Sequence, residues 1–261
     1  MSRVLVVGGT GLCGRHVTLE AVRRGHEVSV ASRRIPTEGD PAYVAGARYA
    51  VADVVTAYGL EEVLDRNDVL IDTTNGVGRA SQTVLTVGTL NLLHAAARWG
   101  IGKAVLLSII NVDKSSYSYY RAKAAQEQIY RESALETRIV RTTQFHDLIT
   151  SFFEAGARVG LIPAFSGVRF QTIATADVAS ILVDAATGAG EPDATETFAG
   201  PQILTSRQMA EQWKRATGRH GLIVPMPVPT AVGQVWKAGG NLARDRVAGT
   251  ISYADWLTSR A

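Results

Sequence analysis

The stretch Arg3 to Gly14, RVLVVGGTGLCG, constrains this chain more than any other. Val4, Leu5, Val6 and Val7 form a short apolar run rich in β-branched residues and closed at once by glycine. That pattern suits a strand buried on both faces, as in a parallel sheet. Gly9, Gly11 and Gly14 fit G-x-G-x-x-G, and Gly8, Gly11 and Gly14 fit G-x-x-G-x-x-G. The following RHVTLEAVRRG has helical spacing, with Val17, Leu19, Ala21 and Val22 on one face and Gly25 placed to end it. Strand, glycine turn and helix in that order are the context a dinucleotide fingerprint requires. The glycines permit a tight turn, a close approach of backbone to pyrophosphate, and close helix–strand packing. The helix N-terminus supplies free N–H groups and the positive end of its dipole.

Strand and helix patterns then alternate. Strands are expected at His26–Ser32, Ala47–Asp53, Asp68–Thr74, Lys103–Ile110 and Thr137–Thr143. Helices are expected at Ala57–Arg66, Ser81–Trp99 and Tyr117–Ser133. This rhythm predicts an α/β fold, a Rossmann-type doubly wound parallel sheet with a small C-terminal substrate-binding cap. After Thr143 the rhythm loosens. Phe145–Val159 reads as helix, LIPAF as a turn at Pro163, VRFQTI as strand, and Ala174–Thr187 as helix with Thr175 a candidate cap. TFAGPQILT reads as a short strand and turn. Thr205–Thr217 reads as helix, with Ser206 a rival cap. Pro225, Pro227 and Pro229 are expected to break regular structure, and the tail from Thr230 to Ala261 is weakly helical. With 261 residues, one domain over 1–261 is expected, its core about 1–144 and its cap mainly 145–172 and 200–261.

Composition excludes several classes. The 27 Lys and Arg against 24 Asp and Glu leave a net charge of only +3, spread along the chain, which is no nucleic-acid footprint. No apolar run is long enough to span a membrane. The one cysteine, Cys13, cannot form an internal disulfide and reads as a small loop residue, so a reducing, cytoplasmic setting is expected. No metal site is expected. The expected partner is a small molecule, with the protein a monomer or a homodimer.

The second strand ends in Ala31, Ser32, Arg33 and Arg34, without the acid that would bind a ribose hydroxyl. Two arginines and a serine suit a 2′-phosphate instead, so NADP(H) is preferred over NAD(H). The competing possibility is a pair of solvated loop arginines. Arg15 is equally suited to adding charge there or to an exposed helix face. Asp53, ending the third strand, suits an adenine amino group or a helix cap. Tyr119 and Lys123, four apart in YYRAK, share a helix face. A lysine ammonium stabilises a phenolate and lowers the tyrosine pKa from about 10. Ser108, eleven residues earlier at a strand end, is placed to hold a substrate carbonyl. Together these make a site for hydride transfer with tyrosine as general acid.

The chain resembles atypical short-chain dehydrogenase/reductases of the NmrA-like kind, over nearly its whole length. The carriers are GGTGLCG, the Asp53 strand end, DTTNG (Asp72–Gly76), GTLNLLHAA (Gly88–Ala96), LLSIINVD with YYRAK, RIVRTTQFHDL (Arg138–Leu148), FQTIATADVA and ETFAGPQILT. The resemblance implies that Gly8, Thr10, Gly11, Leu12, Cys13 and Gly14 hold the pyrophosphate and that Arg33 and Arg34 meet the 2′-phosphate. It implies that Asp53, Val54, Thr73, Thr74 and Asn75 line the cofactor. Tyr119 would be the acid/base, Lys123 its partner and a contact to the nicotinamide ribose, and Ser108 an assistant. Ile109 and Ile110 follow that serine where ordinary members have a polar cluster, and Tyr117 and Tyr120 lie near Tyr119 without its lysine spacing. Gln144, Phe145 and His146 follow the sixth strand and are substrate candidates. A structural role is the stronger expectation for His146, and core packing for Phe152, Phe153, Phe165 and Trp236. The function expected is an NADP(H)-dependent oxidoreductase acting on a carbonyl, quinone or activated double bond of a small apolar metabolite. A cofactor-binding redox sensor without turnover, or a non-redox epimerase or cyclase, are the alternatives.

Overall fold

A computed structural model describes residues 1–76, 82–228 and 230–260. The expected helix start at Ser81, and Pro229, lie outside the described residues. The chain divides into two compact units. The first comprises Met1–Ser108, Ser118–Arg141 and Val178–Glu196, and the second Ile109–Tyr117, Thr142–Asp177 and Thr197–Ala261.

The first unit is built on a seven-stranded sheet. Its strands are β1 (Arg3–Val7), β2 (Glu27–Ser32), β3 (Ala47–Val51), β4 (Val69–Asp72), β5 (Lys103–Ile109), β6 (Glu136–Thr142) and one from Thr195–Phe198, called β9 below. Their order is β3-β2-β1-β4-β5-β6-β9. All pairings from β3 to β5 are parallel. Bonds from Ile139 N to Ala194 O and from Thr143 N to Phe198 O advance together, so β9 runs parallel to β6. Val4 to Val7 are buried, as a central parallel strand demands. The helices are α1 (Leu12–Arg23), α2 (Leu60–Leu64), α3 (Thr89–Arg98, preceded by a π turn at Val84–Gly88), α4 (Ser118–Arg131) and α6 (Thr175–Thr187). This is the doubly wound, Rossmann-type arrangement. Strand order reverses between β1 and β4, and the crevice at their carboxyl ends is where such sheets bind ligands. Helix α2 begins later than its pattern suggested because Ala57 and Gly59 have φ of 62° and 70°, turning the chain before Leu60.

The second unit contains α5 (His146–Ala157), β7 (Leu161–Phe165), β8 (Arg169–Phe170), β10 (Leu204–Thr205), α7 (Ser206–Thr217), β11 (Leu222–Met226), α8 (Ala231–Lys237) and α9 (Tyr253–Thr258). Its core gathers Phe153, Phe170, Trp213, Trp236, Tyr253 and Trp256. Three expectations are corrected here. Pro163 and Pro225 do not break the chain but lie within β7 and β11, which pair in parallel with Val224 opposite Pro163. In a two-stranded sheet each strand has an open edge, so a missing N–H there leaves no bond unmade. The strand expected over 168–173 is confined to Arg169–Phe170, because Ile173 instead exchanges backbone bonds with Gln144 and His146. Helix α7 is capped by Thr205 rather than Ser206. Thr205 Oγ1 accepts from Gln208 N, and Gln208 Oε1 accepts from Thr205 N, a reciprocal capping box.

Candidate functional site

The glycine loop is tied down on both sides. Gly8 N donates to Ala31 O of β2, and Thr73 N and Oγ1 both donate to Val7 O. Gly8 has φ +77°, which a side chain would strain. A Cβ on Gly14 would lie 2.2 Å from Gly8 O and 2.7 Å from both Gly9 Cα and Thr73 Oγ1. Only glycine lets α1 start this close to β1. At Gly11 a Cβ would meet only Gly8 O, at 3.2 Å. Gly11 is the N-cap of α1, has no capping side chain, and is followed by a first turn without an acid. An exposed helix N-terminus with no carboxylate beside it suits a pyrophosphate. Thr10 is half-buried, Leu12 exposed and Cys13 buried.

At the end of β2, Ser32 donates its hydroxyl to Arg34 O and so fixes the turn. Arg33 is exposed. Arg34 Nη1 donates to Asp40 Oδ2 at 2.8 Å, while Asp40 Oδ1 accepts from Ala42 N. That backbone bond, then Arg34, hold the Asp40 carboxyl below its ordinary pKa. Asp53 Oδ1 accepts from Val55 N, its backbone pairs with Tyr58, and Val54 packs where a Cβ on Gly88 would stand. Thr74 and Asn75 follow β4, with Thr74 N bonded to Asp72 Oδ1.

Helix α4 carries the reactive candidates. Tyr119 is half-exposed, and its hydroxyl donates to Asn75 Oδ1 at 3.0 Å, which joins two residues the sequence separates by 44. Lys123 is only 3% exposed. Its Nζ donates to Leu107 O at 2.7 Å and to Gln126 Oε1 at 2.6 Å. Burial pushes its pKa down to about 8, against the opposing pull of Asp72 and Glu127. Ser108 is buried, and its hydroxyl donates to Glu127 Oε1 at 2.6 Å. Glu127, 1% exposed, also receives Arg141 Nε at 2.9 Å and Nη2 at 2.6 Å, and Arg131 Nη2 at 2.6 Å. Burial would raise the Glu127 pKa, but these four bonds hold it below its ordinary value.

In the second unit Gln144 is buried and Phe145 half-buried. Both ring nitrogens of His146 are engaged, Nδ1 with Thr172 Oγ1 at 2.6 Å and Nε2 with Ile251 O at 3.1 Å. The ring packs against Tyr253 and Trp256, and burial lowers its pKa. Phe153 and Trp236 are core residues. Phe165 touches Phe152, Phe170 and Trp236 and also edges an open cavity of about 480 Å³. Four residues now prominent escaped sequence reasoning: Asp40, Asp72, Gln126 and Glu127. Gln126 and Glu127 left local signals, three and four positions beyond Lys123 on the same helix, with Glu127 also four before Arg131. Among the described residues no group of three or more His, Cys, Asp and Glu is placed to hold a metal ion, and no helix is long and apolar enough to cross a membrane.

A tied glycine turn at the switch point, opening onto an uncapped helix, defines a nucleotide-binding α/β protein. A family model described as NAD(P)H-binding matches residues 8–188, and the chain belongs to that family, as a member of the NmrA-like, atypical short-chain dehydrogenase/reductase kind. The chain is 27% identical over 255 residues to the chloroplastic divinyl chlorophyllide a 8-vinyl-reductase of Oryza sativa subsp. indica, covering 89% of this chain and 63% of that one. It thus spans less than two thirds of that relative's length. It is also 27% identical over 223 residues to the (4-alkanoyl-5-oxo-2,5-dihydrofuran-3-yl)methyl phosphate reductase of Streptomyces griseus subsp. griseus, covering 83% of this chain and 74% of the relative. Among solved structures, the NADPH-dependent quinone oxidoreductase of Escherichia coli complexed with NADPH superposes with a TM-score of 0.78, at 15% identity over 98% of this chain and 99% of the other. The UDP-glucose 4-epimerase of Thermotoga maritima with UDP-glucose gives 0.76, at 16% identity over 98% and 96%. At such identities these two show the fold alone.

Proposed function

We propose that this chain is an NADP(H)-dependent reductase, with Tyr119 as general acid/base and Lys123 as its partner, acting on a carbonyl, quinone or activated double bond of a small apolar metabolite. The observation that carries this is the α4 face, on which a half-exposed phenol stands one turn from a buried ammonium. Bound NADPH supplies the hydride. Asn75 holds the Tyr119 phenol by accepting its hydrogen bond. Lys123, with its pKa near 8, is mostly charged at neutral pH and favours the phenolate left after Tyr119 gives up its proton. Gly8, Gly11 and Gly14 cradle the pyrophosphate. Exposed Arg33, and Arg34 through the donors not given to Asp40, take the 2′-phosphate. Ser108, buried to 1% exposure against the Glu127 carboxylate whereas Tyr119 is half-exposed, is assigned to holding β5 against α4. The setting is assigned to the cytoplasm.

One observation favours a second reading, a cofactor-binding sensor without turnover: Ser108 gives its hydroxyl to Glu127, and Ile109 and Ile110 follow it. The test is the variant Tyr119→Phe, followed by NADPH oxidation with 1,4-benzoquinone. NADPH binding stays unchanged and turnover falls by about 100-fold or more. Undiminished turnover removes the assigned role. Tight, redox-selective binding with no turnover by the unaltered chain, across quinones and carbonyls, establishes the sensor.

A further inference from the structure

Tyr119, Lys123, Gln126 and Tyr130 are spaced four, three and four apart on α4 and so form one stripe. Gln126 is fully buried at the centre of that stripe. Its Nε2 lies 3.2 Å from Asp72 Oδ2 and 3.1 Å from Thr89 Oγ1. Thr89 already donates its hydroxyl proton to Leu85 O, and the Asp72 carboxylate only accepts. Both therefore need a donor, which fixes the amide with Nε2 toward them and Oε1 toward Lys123. Asp72 is itself held by the Tyr130 hydroxyl on Oδ2 and by Thr74 N on Oδ1. Burial and Asp72 raise the Tyr130 pKa, so it remains a donor. An unbroken set of bonds thus runs from the loop after β4, through Asp72 and Gln126, to the Lys123 ammonium.

We propose that Gln126 is a positioning residue for Lys123. Its amide, oriented by Asp72 and Thr89, supplies the acceptor that keeps the buried ammonium charged and leaves its third N–H for the site. This rests on the reading of Lys123 as the partner of Tyr119. The charged groups that act on Lys123 are Asp72 from β4 and Glu127 from α4, with Tyr130 behind Asp72 and Tyr119 one helical turn away. Glu127 is itself neutralised by Arg131 and by Arg141 of β6. Gln126 is the neutral member and the nearest side-chain acceptor that Lys123 is shown to use.

The experiment titrates Lys123 directly, by NMR of its isotopically labelled side chain in the intact chain, for the unaltered chain and for Gln126→Leu and Gln126→Met. Loss of one hydrogen bond to a charged group lowers the midpoint by about one pH unit or more in each variant. The high-pH limb of NADPH oxidation moves in the same direction, with kcat affected more than the KM for NADPH. Midpoints unmoved in both variants overturn the proposal. Should Gln126→Leu not fold, Gln126→Met, unbranched and close to glutamine in size, decides alone. Because the titration needs no turnover, it separates the two claims. A moved midpoint beside undiminished turnover of Tyr119→Phe refutes the catalytic reading and not the coupling, whereas an unmoved one beside lost turnover refutes only the coupling.

Discussion

Replacing Ser108 by alanine separates two roles by their size. The structure gives the hydroxyl one task, a 2.6 Å bond to a carboxylate buried to 1% exposure. A hydrogen bond to a charged group contributes about 1.5–3 kcal/mol. Glu127 Oε1 keeps Arg141 Nε when Ser108 is gone, so the carboxylate is not orphaned and the lower end applies, about 1.5 kcal/mol. For a protein of this size that lowers Tm by roughly 3–6 °C. Turnover in the variant stays within about threefold of the parent, because the lost group faced Glu127. A hydroxyl that held the substrate carbonyl would behave in the opposite way, with a loss of about 100-fold in kcat. The assays are a thermal melt and NADPH oxidation with 1,4-benzoquinone, run also on Glu127→Gln and the double variant. Glu127→Gln leaves the Arg141 guanidinium without its carboxylate and destabilises by about 3 kcal/mol, the lower end for a broken buried pair because Arg131 is 40% exposed. Ser108→Ala adds little to it. An unchanged melt with a hundredfold loss of turnover in Ser108→Ala would refute this reasoning.

Gly14→Ala drives a Cβ to 2.2 Å from Gly8 O, so the loop must move; stability falls by about 1–3 kcal/mol and NADPH binding weakens with it, as melting and titration of the variant will show. An unaffected variant would mean that α1 does not rest on the loop. His146 is buried with its pKa lowered by desolvation, so it is neutral in the folded chain. Its contribution is complete above the unfolded value of about 6.5 and is lost as pH falls from there through the lower folded value. His146→Gln therefore flattens the decline of Tm as pH falls below about 6.5, and an unchanged slope would show that His146 does not carry it.

Much of this architecture is written locally. The buried Val4–Val7 run, the glycines and the α1 face each specify their own conformation, and regular alternation then sets the parallel sheet. Pro163 and Pro225 escape the rule for interior strands because β7 and β11 form an isolated pair with open edges. In the site, Tyr119 and Lys123 were legible because one helical turn separates them. Of Glu127 only the four-residue spacing to Arg131 was legible, since its other partners, Ser108 and Arg141, lie 19 and 14 residues away on neighbouring strands. Asp40 illustrates the same limit. The expected place for an acid, the end of β2, is indeed free of one, yet the turn that follows brings a carboxylate back to Arg34. Long-range polar pairs have no periodicity to betray them.

The proposed function requires a site that takes a phosphorylated nicotinamide dinucleotide. The most direct measurement is calorimetric titration with NADPH, NADP⁺, NADH and NAD⁺, on the unaltered chain and on the double variant Arg33→Ala, Arg34→Ala. The phosphorylated pair binds about tenfold tighter or more, from one or more charge-assisted bonds to the 2′-phosphate, and the double variant loses this preference while keeping its affinity for NADH. Equal affinity for all four, or a preference untouched by removing both arginines, would contradict it.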